Sequence, residues 1–257
     1  MLANYQKREF VYVWPTGKKF EPRLEDLWNF SEGRRISKYV SRALATVAPY
    51  HERDLTGTGG PGEGPRIIQV RTGAELIVPA GLRSWREEFC HLIPHPAIAA
   101  RVHRIFEEEL AGHPYVGVQI RAHAVSHEQT RATSPVSWFV ERMQEISEIH
   151  PGVRFYLSCD VPEVFREVAT KIPNIVGIPD KGLYNSTEAI RGAIVDLYLL
   201  ACSGYLIGPW FSSFIHLAEH LAADRQLLET GKAPKTGPID YESLGVAVDP
   251  LRPFERR

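Results

Sequence analysis

The chain has 257 residues, 44% hydrophobic and 24% charged, which suffices for one large core or two small ones. Thirty basic and 31 acidic side chains leave a formal charge of −1, without the basic surplus of a general nucleic-acid binder. Cys90, Cys159 and Cys202 form neither a disulfide framework nor a zinc pattern, and no stretch reaches the roughly 18 apolar residues a membrane span needs.

The first ten residues, MLANYQKREF, lack the apolar core of a signal peptide, so a cytoplasmic, reducing location is expected. FVYVW (10–14) reads as a strand and ISKYVSRALATVA (36–48) as a helix. GTGGPGEGP (57–65) reads as loop, and IIQVRT (67–72) and ELIVPA (75–80) as strands flanking Gly73. In PAIAARVHRIFEEELAG (96–112), Ile98, Val102, Ile105, Phe106 and Leu110 share one helical face. A domain boundary is expected near 111–114.

From there strand and helix alternate regularly. YVGVQIR (115–121), VRFYLSCD (153–160), NIVGI (174–178) and GYLIG (204–208) have strand character. Helices are expected over 135–150, 162–172, 186–202 and 212–222, with Pro135 in a first turn and Ser186 or Thr187 as a cap. That rhythm specifies a doubly wound parallel sheet over 113–224. A tail, 225–257, is expected to pack over other elements.

Parallel sheets bind ligands at the carboxyl ends of their strands. Arg121 and Asp160 stand at such ends, and Ser212 and Ser213 open a helix just after GYLIG. A guanidinium beside a helix N-terminus suits a phosphate-sized anion. The plainer alternative pairs Arg121 with a nearby carboxylate and leaves Ser212 as a helix cap.

Asp196 lies in AIVDLYLLAC, apolar nearly all round, and Ala193, Gly192, Leu199 and Leu200 offer it no partner one turn away. An unpaired buried carboxylate is costly, so Asp196 faces water, meets a donor from another element, or meets a ligand's N–H groups. His216 and His220, like His123 and His127, sit one helical turn apart, but no third ligand accompanies either pair and HLAEH is not H-E-x-x-H. No metal site is expected. GTGGPGEGP lacks the G-K-[ST] ending of a P-loop.

VGVQIRAH, FYLSCD, STEAIRGAIVDLYLLACSGYLIG and PWFSSF, in this order over 114–222, resemble the carboxyl-terminal half of the GDP-fucose-dependent fucosyltransferases of the α-1,6 and nodulation type. REFVYVWPTG and LEDLW (within 8–28) resemble the family's N-terminal domain more faintly. The resemblance implies an α/β, GT-B-like fold of two Rossmann-like domains. These are an incomplete, shortened N-terminal one over 1–112 and a nucleotide-sugar-binding one over 113–224. It implies transfer of a sugar, with fucose the expected one, from a GDP-sugar co-substrate to a glycan or other hydroxyl acceptor, without cofactor or metal.

Carried over by position, the family's H-x-R-R-x-D stands here as Gln119-Ile120-Arg121-Ala122-His123-Ala124. Arg121 is then the β-phosphate contact, Gln119 replaces a guanine-holding histidine, and Ala122 and Ala124 replace an arginine and an aspartate. The resemblance makes Asp196 the guanine reader. It places Asp160 and Ser212 or Ser213 at the donor, and Glu128 near the family's proposed base. A catalytically degenerate nucleotide-sugar- or glycan-binding protein of the same fold is the alternative. An unrelated α/β phosphate binder is the third.

Overall fold

The computed structural model describes every residue except Met1, Lys18, Pro61, Gly73, Ala74, Val125, Ser126 and His127. Gly73 and the His127 of the second histidine pair therefore lie outside the described residues.

The first hundred residues form short elements: α1 (Leu2–Tyr5), β1 (Val11–Tyr12), β2 (Arg34–Arg35), α2 (Lys38–Leu44), β3 (Tyr50–His51), β4 (Gln69–Val70), α3 (Trp85–Phe89) and α4 (Pro96–Ile105). β1 pairs with β2 and β3 with β4, each in parallel over two residues. The strand expected over 10–14 shrinks to two residues because its apolar side chains find no opposing layer: Phe10, Val11 and Val13 stay exposed. The strand expected over 75–80 is reduced to a single bridge between Asp54 and Ile77. This half is thus a small unit with short parallel pairs. α4 ends in one π-helical turn, Phe106–Leu110, which keeps Phe106 and Leu110 buried.

The second half runs β5 (Val116–Ile120), α5 (Glu128–Thr133), α6 (Val136–Ile149), β6 (Phe155–Cys159), α7 (Pro162–Lys171), β7 (Ile175–Gly177), α8 (Thr187–Ala201), β8 (Tyr205–Gly208), α9 (Ser213–Leu221) and β9 (Leu227–Thr230). The four expected strands and four expected helices stand within about two residues of their sequence bounds. Pro135 is the N-cap of α6 rather than its first residue, and Ser186 caps α8 by accepting from the Ala189 N–H.

The five strands form one parallel sheet in the order β7-β6-β5-β8-β9. Every residue of β5 is buried, as a central strand covered on both faces requires. Val116, Val118 and Ile120 pack with Phe139, Met143 and Val168 on the α6–α7 side. The opposite face packs against α8 and α9 through Val195, Leu199 and Ile215. Ile98 and Val102 of α4 belong to that same cluster. α4, which precedes the boundary expected near 111–114, thus packs with α8 and α9 in one cluster.

The expected tail also contributes more than a cover. β9 extends the sheet alongside β8. Glu229 on β9 is fully buried and receives both hydrogen bonds of the Arg142 Nε–H at 3.1 Å, with Tyr205 Oη donating at 2.9 Å. Further on, the Arg256 guanidinium donates to the carbonyls of Ala201 and Ser203 at 2.9 and 3.1 Å, satisfying the end of α8. Among the described residues no helix is long and apolar enough to cross a membrane.

Candidate functional site

In this sheet the strand order reverses at β5, with β6 on one side and β8 on the other. The crevice beyond the carboxyl ends of β5 and β8 is where open α/β sheets take their ligands. β5 delivers Gln119 and Arg121 to that crevice, and β8 delivers the turn into α9. Gly208 closes β8 against α9 so tightly that a Cβ there would stand 2.5 Å from Ile215 Cγ1, which draws the start of α9 to the sheet. In the turn Phe211 adopts φ +65°, a left-handed conformation rare for a bulky residue.

Ser212 is the N-cap of α9, but its side chain makes no capping bond. Its hydroxyl instead donates to Gln119 Oε1 at 3.4 Å, and both residues are buried. The plain alternative of Ser212 as a simple helix cap is thereby set aside. The first-turn N–H groups of α9 have no side-chain cap, and Ser213 stands exposed beside them.

Arg121 Nε lies 3.3 Å from Asp160 Oδ2, with the Arg121 side chain 35% exposed. The expected alternative, a carboxylate neighbour for Arg121, is therefore real. The pair lacks hydrogen-bond geometry, however: Asp160 Oδ2 is buried and accepts no hydrogen bond among the described residues. Asp160 Oδ1 accepts instead from the backbone N–H groups of Ala122 and His123, at 2.7 and 3.1 Å. Asp160 thus shapes the loop that follows β5 and holds Arg121 electrostatically, leaving the guanidinium partly open.

Asp196 is 1% exposed and has a full set of partners from other elements. Tyr156 Oη donates to Oδ1 at 2.7 Å, Ser158 Oγ to Oδ2 at 2.7 Å, and Lys181 Nζ lies 3.0 Å from Oδ2. Lys181 also donates to the carbonyl of Cys159 at 2.7 Å. Of the three partners expected for Asp196, a donor from elsewhere in the chain is the one found. Both oxygens are engaged inside the protein, whereas the carried-over role of guanine reader would need them turned to a ligand. Burial and the adjacent Asp196 charge hold the Tyr156 phenol well above its ordinary range, so it stays a donor. Burial likewise pushes the Cys159 thiol up to about 11, away from thiolate chemistry.

Those partners were legible in part. Tyr156 and Ser158 alternate on one face of β6, so FYLSCD turns two hydroxyls toward one helix layer. Lys181 gave no such signal, since it reaches the site from the loop after β7.

Glu128 opens α5 with an exposed side chain. No hydrogen bond or ion pair ties it to Arg121 among the described residues. His216 and His220 are each hydrogen-bonded to a carboxylate, Glu219 at 2.8 Å and Asp224 at 2.9 Å. The Glu219 bond raises the His216 pKa. Trp210, at the edge of the crevice, has its ring covered by Lys232 Nζ, 4.2 Å from the centroid.

No family model matches the chain. Nodulation protein Z of Bradyrhizobium diazoefficiens is 27% identical over 157 residues, 53% of this chain and 42% of that protein. The match therefore spans less than half of that relative. Among solved structures, NodZ α-1,6-fucosyltransferase co-crystallised with GDP superposes with a TM-score of 0.56 at 18% identity, covering 85% of this chain and 83% of that one. The same enzyme soaked with GDP-fucose gives 0.57 at 18% identity, covering 85% and 84%. By its fold and by the order of its motifs, the chain resembles the GDP-fucose-dependent fucosyltransferases of the GT-B class.

Proposed function

We propose that the crevice at β5 and β8 binds a GDP-sugar, fucose being the sugar, and passes that sugar to a hydroxyl acceptor. The observation that carries this is the convergence of Arg121, Gln119 and the uncapped start of α9 at the reversal of strand order. As the glycosidic bond breaks, charge accumulates on the β-phosphate. Arg121 and the N–H groups at Ser212 and Ser213 are positioned to take up that charge where it develops. In this scheme that cluster alone balances the leaving diphosphate, with no metal or other cofactor called for. Asp160 fixes the loop that carries Arg121, and Asp196 belongs to the supporting framework. As the acceptor oxygen bonds to the sugar carbon, the bond from that carbon to the β-phosphate oxygen breaks, GDP leaves, and the acceptor's proton passes to solvent.

The alternative, a non-catalytic nucleotide-sugar-binding protein, is favoured by the lack of a hydrogen bond or ion pair between Glu128 and Arg121 among the described residues. The purified chain is to be incubated with GDP-fucose and GDP release measured, with and without an acceptor glycan. Release that rises with acceptor is expected. Binding of GDP-fucose without release selects the alternative, and failure to bind it removes both.

A further inference from the structure

Tyr184 is 57% exposed, yet its ring is stacked on His123 with centroids 4.6 Å apart and planes 17° from parallel. The loop that carries it is pinned on both sides. Lys181 is anchored to Asp196 and the Cys159 carbonyl, and Asn185 Nδ2 donates to the Lys19 carbonyl at 2.8 Å. Between them the Gly182 N–H donates to Asp180 Oδ1 at 2.8 Å, with Gly182 at φ +86°. On the other side, the His123 N–H is held by Asp160. An aromatic pair with one exposed ring on two anchored backbones is pre-organised, and ordering it costs a ligand little.

Its position gives it an occupant. His123 lies two residues past Arg121 at the end of β5, and Tyr184 follows β7. Open sheets of this kind take their ligand across the crevice where the strand order reverses; with the diphosphate at Arg121 and the start of α9, the β5–β6–β7 ends are the side that remains for the nucleoside. On the donor-site reading proposed above, we infer that the Tyr184–His123 stack is the platform for the nucleoside base, with Tyr184 supplying the ring against which the base lies. Aromatic faces accept any base, so this contact strengthens binding without choosing guanine.

Calorimetry with GDP, ADP, inorganic pyrophosphate and GDP-fucose tests this on the full chain. Tyr184→Ala is expected to weaken GDP and ADP alike by about tenfold and to leave pyrophosphate unchanged, with Tyr184→Phe close to wild type. Because Tyr184 is largely exposed, the variant is expected to keep its fold, checked by an unchanged unfolding midpoint. GDP affinity unaffected by Tyr184→Ala overturns the platform while leaving the donor site standing. An effect on GDP-fucose but not on GDP also overturns it, by placing the ring against the sugar. A wild-type chain that binds pyrophosphate but not GDP overturns the donor reading itself.

Discussion

Asp196→Ala is expected to destabilise the fold by about 3–5 kcal/mol, the usual cost of removing one partner from a buried charge pair. The substitution strands three donors at once: the Lys181 ammonium and the hydroxyls of Tyr156 and Ser158. The low end of that range applies if Lys181, 13% exposed, swings toward water while keeping the Cys159 carbonyl. The loss is read as a fall in the urea midpoint, with the slope unchanged. Asp196→Asn keeps one acceptor oxygen, which serves one of the two hydroxyls, and is expected to fall between wild type and alanine. An unchanged midpoint for Asp196→Ala would contradict the framework role. So would an Asn variant that keeps its stability but loses GDP affinity, since that would return the carboxylate to the base.

The second large effect is on chemistry. Arg121→Ala is expected to lower the rate of sugar transfer by about 100- to 1,000-fold, the range seen when one donor to a developing anion is lost. Stability should change little, because the guanidinium is partly exposed and its pairing with Asp160 lacks hydrogen-bond geometry. Asp160 keeps both backbone partners, Ala122 and His123, so the loop is expected to hold its shape. Arg121→Lys restores charge but not the planar fork, and is expected to recover only part of the rate. A fall in stability matching the fall in rate would mean that Arg121 serves the fold through Asp160 rather than the donor.

The carboxyl-terminal half was legible because its strands are largely apolar runs and strand and helix alternate along it at regular spacing. β9 escaped notice because LLET hides a glutamate that only makes sense opposite Arg142, 87 residues away. The same holds for Asp196. Its helix announced a buried acid without a local partner, but the partners come from β6 and from the loop after β7. Such long-range pairings leave no periodic trace. The N-terminal strands were overcalled for the opposite reason: FVYVW has the composition of a strand but no second layer to press against. At the crevice, residue type and strand end pointed to Arg121, Ser212 and Ser213, and the family resemblance pointed to Gln119. The uncapped helix start and the Phe211 turn required coordinates.

The most direct measurement is a crystal structure of the chain grown with GDP. The account predicts a diphosphate within hydrogen-bond reach of the Arg121 terminal nitrogens and of the backbone N–H groups at Ser212 and Ser213, beyond the ends of β5 and β8. A nucleotide bound elsewhere, with Arg121 still turned to Asp160 and the start of α9 facing solvent, would contradict it.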